Sequence, residues 1–465
     1  MSQPQTALDI PREPGSEFLG AKAHAPSAAT RRVKRLGQTL FGVGLFLLFL
    51  SATGIGNDRP LLFFALSIGL AAVGGLLSFL PQLWEGPPGI RNNHLFFRNL
   101  TSRGLLAWTA GLLITGFYVI LYWFPQLLQN WVRLTDPLSL LISGKPADKW
   151  FLYGTFYTTA VLVMGVRMFI RYRHNRYQLV RTASVMFFQL GFAFLLPYTL
   201  KGLNEPDFYF TYFWPLKYNY LFPNDVHWLL SQPGGLGTFM VFWGAMMSFV
   251  ATPVLTYFFG KRWYCSWVCG CGGLAETLGD PWRQLSLKSL RAWKVERVLI
   301  HSVLVFIVVT TGLLWLNSAW HGAVLGRLSN GFARAYGFYI GAIFSGVIGV
   351  GFYPLMGARV WCRFGCPLAA ILGLLQKFFS RFRITTNGGQ CISCGNCSTY
   401  CEMGIDVRWY AQRGQNIIRA SCVGCGICSA VCPRGVLKLE TGPRKGRYNV
   451  VLDDRLLDEI NNVRG

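Results

Sequence analysis

Cys391-Ile392-Ser393-Cys394-Gly395-Asn396-Cys397-Ser398-Thr399-Tyr400-Cys401 and Cys422-Val423-Gly424-Cys425-Gly426-Ile427-Cys428-Ser429-Ala430-Val431-Cys432-Pro433 are two matched runs of C-x2-C-x2-C-x3-C. This is the spacing that holds two cubane iron–sulfur clusters in bacterial ferredoxins. Three closely spaced sulfurs wrap one side of a cubane, and the fourth ligand must come from the far side, out of the other run. The expected ligand sets are therefore Cys391, Cys394, Cys397 and Cys432 for the first 4Fe–4S cluster, and Cys422, Cys425, Cys428 and Cys401 for the second. Gly395 and Gly426 let the backbone bend close to the sulfurs. Zinc sites use C-x2-C pairs but not two matched runs of four, and disulfides are disfavoured in a reducing cytoplasm. The first run carries Glu402 where the second has Pro433, and Arg434 follows that proline. A carboxylate beside one cluster and a guanidinium beside the other predict two unequal potentials.

Outward from this cassette the chain turns apolar. Of its 465 residues 52% are hydrophobic and only 14% charged, against about 25% charged in a typical soluble domain. That composition excludes a single soluble core. Eight runs are long enough to cross a bilayer: Leu36–Gly54, Leu61–Leu80, Gly104–Phe124, Trp150–Ile170, Thr182–Leu200, Gly237–Gly260, Val298–Asn317 and Phe338–Met356. The net charge of +24 divides unevenly along them. Segments on the N-terminal side of the membrane hold 35 Lys and Arg, and the opposite connections hold 8. The positive-inside rule then places both termini in the cytoplasm of a bacterial inner membrane. The surplus charge is a topology signal, and no nucleic-acid partner is expected. Arg167, near the inner end of the fourth run, is expected to snorkel. Arg171-Tyr172-Arg173-His174-Asn175-Arg176 reads as a basic loop facing lipid headgroups.

The expected organisation is an all-α polytopic membrane domain of about eight helices with a small α+β two-cluster ferredoxin-like domain. Residues 1–35 form a disordered tail, 36–357 the membrane domain with a motif loop at 260–297, 358–387 a second motif and linker, 388–441 the ferredoxin domain, and 442–465 a C-terminal tail.

The other five of the 13 cysteines stand at the membrane edge. Gly260-Lys261-Arg262-Trp263-Tyr264-Cys265 runs on to Cys269 and Cys271, and Gly357-Ala358-Arg359-Val360-Trp361-Cys362 runs on to Cys366-Pro367. Both follow a span and read Gly, basic, aromatic, Cys-x3-Cys, which makes an internal repeat. On one helix, residues four apart share a face, so each motif is expected to present two sulfurs side by side. Cys265, Cys269, Cys362 and Cys366 form a candidate third metal or cluster site, with Lys261, Arg262, Arg359 and Arg363 lowering the thiol pKa values. The same cysteines also read as small apolar residues at helix ends. Cys271 has no evident mate.

In combination these motifs resemble the membrane-bound polyferredoxin family, the NapH-, NosR- and CcoG-like 4Fe–4S membrane proteins, over about Gly237 to Leu439. The resemblance implies electron transfer between a membrane and iron–sulfur clusters, with the quinone pool and a soluble or membrane redox protein as partners. Two alternatives stand beside it: a copper reductase or assembly factor for a respiratory complex, since soft thiolates select Cu(I), and a redox-sensing regulator. Gly270 replaces the family's proline in the first motif, and the five N-terminal runs match no family segment, which points to a distinct subfamily.

Among six histidines only His301 falls within a run, so haem is not expected, and a helix–helix hydrogen bond is its expected role. Arg167 and Asp207 are within the scope of a quinone site, but neither argues for one alone. The aromatics of 201–236, from Phe208 to Tyr220, read as an interfacial belt.

Overall fold

The computed structural model describes residues 26–85, 103–206, 208–326 and 328–442. Most of the expected N-terminal tail, nearly all of the C-terminal one, and Asp207 lie outside these residues.

Eight helices are long and apolar enough to cross a membrane: α1 Ala28–Ser51, α2 Pro60–Glu85, α3 Leu105–Trp123, α4 Lys149–Arg171, α5 Arg176–Gly202, α6 Pro233–Phe259, α7 Leu290–Ala319 and α8 Leu328–Ile348. Each overlaps one expected run. α1 starts at Ala28 rather than Leu36, because the Ser27 hydroxyl accepts a hydrogen bond from the Thr30 N–H and caps it. Ser27 and Thr30 also bond Glu85, tying the start of α1 to the end of α2.

Small residues set how close α1 and α2 come. A Cβ on Gly44 would stand 2.5 Å from the Ala71 nitrogen, and one on Gly37 would stand 2.6 Å from that of Ser78. Backbones in contact through glycine are a standard way to join helices where lipid gives no hydrophobic drive. α5, α6 and α8 each contain a π-helical stretch, at Phe188–Leu195, Met246–Ala251 and Gly337–Ile348. Such stretches often mark functional sites, and that of α5 carries Gln189, whose amide bonds the Val268 carbonyl inside the first cysteine motif.

After α9, Pro367–Phe378, the chain forms β1, Phe382–Thr386, antiparallel to β2, Leu437–Thr441, with Ile384 opposite Leu439. β1 falls in the expected linker 358–387 and pairs with a strand at the end of the expected ferredoxin stretch. Between the strands the two cysteine runs make equivalent turns. Gly395 (φ 79°) opens the short helix Asn396–Thr399 and Gly426 (φ 74°) opens Ile427–Ala430. Both glycines hold the left-handed conformation that only they adopt freely.

The basic run Arg171–Arg176 is partly covered by the ferredoxin unit, with His174 and Arg176 still exposed. Tyr172 is fully buried, His174 bonds the Ala430 carbonyl at 3.0 Å, and Arg171 pairs with Asp280. The ferredoxin unit sits on this ledge. The Tyr177 hydroxyl donates to the Gly424 carbonyl, the Gln178 amide to that of Cys425, and the Gln376 amide to that of Cys422. Arg167 is buried against Asp280 instead of snorkelling, since a carboxylate within reach is a better partner than the interface.

Candidate iron–sulfur centres

Cys391, Cys394, Cys397 and Cys432 line one small cavity together, with Arg408 and Arg434 on its walls. Cys432 thus joins the three sulfurs of the other run. Burial pushes the Cys397 thiol up to about 12, with Cys432 adding to the effect. Cys394 is exposed, which puts this set at the surface of the molecule.

The second set lies deeper. Burial pushes the Cys428 thiol well above its ordinary value, and Cys425, Cys422 and Cys401 each add to that. Backbone N–H groups already point at sulfur, that of Ile405 lying 3.4 Å from Cys401 Sγ. Two buried and two half-buried thiols, with backbone amides aimed at Cys401 and Cys422, suit a soft anionic cluster bound as thiolates, which iron and hydrogen bonds would stabilise. When bound, such a cluster supplies one-electron transfer.

The cysteine motifs at the membrane edge also come together. Cys362, Cys265 and Cys269 lie close enough to Cys366 that each raises its thiol, and Cys271 sits beside Cys269. The geometry differs from the expected single helix. Cys265 ends the short helix Arg262–Cys265, and Cys269, in extended backbone, precedes Gly270–Glu276. Cys362 lies in Val360–Phe364, and Cys366 caps α9 by accepting from the Ala369 N–H. A residue before proline avoids helical backbone, so Cys366-Pro367 breaks the helix, and Cys269-Gly270 breaks at the same place without one. Each motif is opened by a glycine of positive φ, Gly260 (69°) and Gly357 (92°). A Cβ there would meet Phe382 at 2.6 Å and Ser286 Oγ at 2.5 Å respectively.

The basic flanks do not depress these thiols as expected, because burial outweighs them. Burial carries Cys265 up to about 12 against the pull of Lys261, and raises Cys362 and Cys366 as well. Cys269 goes down to about 7, chiefly through a hydrogen bond with the Cys271 thiol. Cys271 therefore does have a mate. Arg359 comes within hydrogen-bond reach of sulfur, with Nη1 3.7 Å from Cys362 Sγ. Arg262 stacks on Phe382, Arg363 pairs with Glu296, and Lys261 reaches the Ala420 carbonyl.

Between the membrane-edge cysteines and the second cysteine set lies a buried network of charge. Arg359 bridges Glu276 at 2.7 Å and Glu402 at 3.0 Å. Arg283 touches Glu276 (2.9 Å), Asp280 (3.1 Å) and Glu402 (2.8 Å), and its Nη1 is 3.9 Å from Cys425 Sγ. Arg181 pairs with Glu276, and Arg167 and Arg171 with Asp280. Burial works to raise the Glu276 carboxyl, but Arg181, Arg283 and Arg359 outweigh it and hold it well below the usual range. Asp280 is likewise held at about 2 by Arg171 and Arg167 despite its burial. Burial leaves Glu402 raised, with Glu276 beside it opposing its ionisation. Glu276, Glu402 and Cys425 place one ligand atom each within 4.8 Å of one another.

Sequence reasoning missed this network. Its one signal was Glu276 and Asp280, two carboxylates four residues apart in the motif loop of a chain with only 20 Asp and Glu. Two further expectations change. His301 bonds the Arg297 carbonyl of its own helix, not a neighbouring one. The 201–236 aromatics are divided: Phe213 packs on Tyr264 in the cysteine cluster and Phe208 and Tyr220 are buried, while Tyr209 and Tyr212 stay exposed.

Residues 241–291 and 338–385 match a 4Fe–4S binding domain, and residues 390–437 match a 4Fe–4S dicluster domain. The first match takes in both membrane-edge motifs. The chain is similar to the "Putative electron transport protein YccM" of Escherichia coli, at 27% identity over 35% of this chain and 47% of that protein. It is also similar to the "Methylamine utilization ferredoxin-type protein MauN" of Methylobacillus flagellatus, at 26% over 34% of this chain and 54% of the relative. An uncharacterized protein of Methanocaldococcus jannaschii is 28% identical over 34% of this chain and 65% of its own length. The chain thus spans about half to two thirds of the relatives it matches. No solved structure matches. The 4Fe–4S domains, with the likeness to an electron transport protein and a ferredoxin-type protein, support a membrane polyferredoxin family and an iron–sulfur electron transport role.

Proposed function

We propose that this membrane polyferredoxin carries electrons between the quinone pool and a redox protein partner through two 4Fe–4S clusters. One is held by Cys391, Cys394, Cys397 and Cys432, the other by Cys422, Cys425, Cys428 and Cys401. The observation that carries this reading is the small cavity bounded by Cys391, Cys394, Cys397 and the borrowed Cys432. The first set lies at the surface with Cys394 exposed, where a protein partner can approach. The second is shielded from water against the buried arginines. Cys265, Cys269, Cys362 and Cys366 hold a third cluster or metal, supported by their closeness to one another and by the 4Fe–4S match across both motifs. The excess of Lys and Arg on the ferredoxin side supports a bacterial inner membrane with both termini in the cytoplasm.

Anaerobic purification with iron and sulfide analysis tests the centres. About eight iron per chain are expected from two clusters and about twelve with a third cubane. EPR of the reduced protein should show 4Fe–4S signals, and reduction by a quinol should develop them. Well under eight iron in fully folded protein overturns the two-cluster reading. A copper reductase is the second reading, favoured by the five soft sulfurs at the membrane edge. Copper bound in place of the additional iron, and lost in Cys265→Ser and Cys362→Ser variants, would select it.

A further inference from the structure

A cavity of about 690 Å³ lies among α1, α2 and α4, away from the cysteine centres. Its walls are apolar over most of their length, with Leu45 and Leu48 from α1, Ile68 and Ala72 from α2, and Val163 and Met164 from α4. Phe41 both lines it and is exposed on the outside of α1, so the cavity reaches the surface that faces lipid. Its charged and amide side chains are Lys34, Gln38, Gln82 and Arg167, near the start of α1 and the ends of α2 and α4, and Ser78 and Thr159 add hydroxyls to the wall. Trp282 joins the wall from the first cysteine-motif loop.

The polar end is wired to a cluster ligand. Arg167 Nη1 lies 2.6 Å from Asp280 Oδ2, Asp280 Oδ1 lies 3.1 Å from Arg283 Nε, and Arg283 Nη1 lies 3.9 Å from Cys425 Sγ. Three side chains therefore join the head of the cavity to a sulfur of the second set. A ligand that fits has a long apolar body, a small head with hydrogen-bond acceptors, and electrons to exchange. A phospholipid matches the first property but not the last.

We propose that this cavity is the quinone site, with the isoprenoid chain along α1, α2 and α4 and the ring at Arg167, Gln38 and Gln82. The assignment rests on the electron-carrier function proposed above. Oxidation of one bound quinol breaks two O–H bonds and releases two electrons and two protons. The electrons pass singly through the Cys425 side to the two clusters, each of which is reduced by one. The protons leave to water at the polar mouth, where Gln38 is exposed. Reduction of a quinone runs the same balance backwards.

The test uses the full chain with its clusters intact. A photoreactive azidoquinone should label peptides of α1, α2 or α4, and unmodified quinone should compete. Ala160→Phe and Ala72→Phe fill the slot from positions away from the charge network. Each should slow cluster reduction by quinol about tenfold or more, while dithionite still reduces the clusters fully. Labelling confined to other helices overturns the site, as does quinol reduction at the unaltered rate in both filled variants. So does a tightly bound phospholipid at these helices that quinone does not displace. If the unaltered protein, with intact clusters, is not reduced by any quinol and reduces no quinone, the quinone-linked function itself falls, a result distinct from failure of the site.

Discussion

Glu402 follows Cys401 of the second set directly, and its carboxyl lies within 4.8 Å of Cys425 Sγ of the same set, in the arms of Arg283 and Arg359. The sequence predicted a bare negative charge lowering the potential of the nearby cluster. In the fold that charge is compensated by two guanidiniums, one of them also close to Cys425. Glu402→Gln keeps an oxygen for the arginines and removes the charge. The midpoint of the cluster on Cys401, Cys422, Cys425 and Cys428 should then rise by tens of millivolts, where about 59 mV is tenfold for one electron. The midpoint of the surface cluster should hold. Redox titration followed by EPR separates the two, and an unmoved pair of midpoints sinks the idea. The membrane-edge thiols allow a second check. In protein stripped of iron, Cys269 titrates near 7 while Cys265 stays protonated up to about 12. Thiolate, the reactive form, therefore appears on Cys269 first as pH rises. Alkylation from about pH 6 to 9 with peptide mapping should mark Cys269 progressively and spare Cys265. The cysteine sets were legible because ligand spacing is local, within eleven positions of each run. The role of Glu402 was not, because its partner Arg283 is 119 positions away and nothing local announces the pairing.

At the scale of elements, the repeated glycine proves as informative as the repeated cysteines. Gly260, at the end of α6, and Gly357, after the short helix Tyr353–Met356, both hold a positive φ with no room for a side chain. Gly357→Ala puts a methyl against Ser286 and strains the backbone, at a cost of about 1–3 kcal/mol. A lowered thermal midpoint in detergent, with loss of the iron proposed for the membrane-edge site before that of the ferredoxin unit, is the expected outcome. An unchanged midpoint would show that the turn is not what positions Cys362. Eight spans were readable from apolar run length alone, since the bilayer dictates it. The break inside each Cys-x3-Cys was not read, although Pro367 signalled it for the second motif. The first breaks in the same way at Gly270, so the shape belongs to the repeat and not to proline. The ledge at Tyr172–Asn175 was only partly legible, because a basic loop bordering a membrane and one partly covered by a domain share the same composition. Only the buried Tyr172 and the bond from His174 to Ala430 tell them apart.

Across the whole molecule, the seam between membrane helices and ferredoxin unit is charged and buried. Arg167, Arg171, Arg181, Arg283 and Arg359 face Glu276, Asp280 and Glu402 there, all of them buried. Five cations against three acids leave the seam positive among the described residues. A positive interior is costly unless something anionic sits beside it, and thiolate-bound clusters, as proposed for the sulfurs bordering the seam, would be such groups. Clusters held there and the arginines would then stabilise each other, making iron binding and docking of the domain one event. Arg283 is the test of that coupling, because it alone touches all three carboxylates and approaches Cys425. Breaking such buried pairing typically costs about 3–5 kcal/mol. Arg283→Met should therefore loosen the seam and release the buried cluster, taking about four iron from each chain. The surface cluster lies outside the network, with Cys394 exposed, so its EPR signal should persist. Limited proteolysis should at the same time begin to cut between α9 and β1, where the unaltered protein resists. Retention of all iron with an uncut linker would mean that the ferredoxin unit holds its clusters without help from the membrane domain.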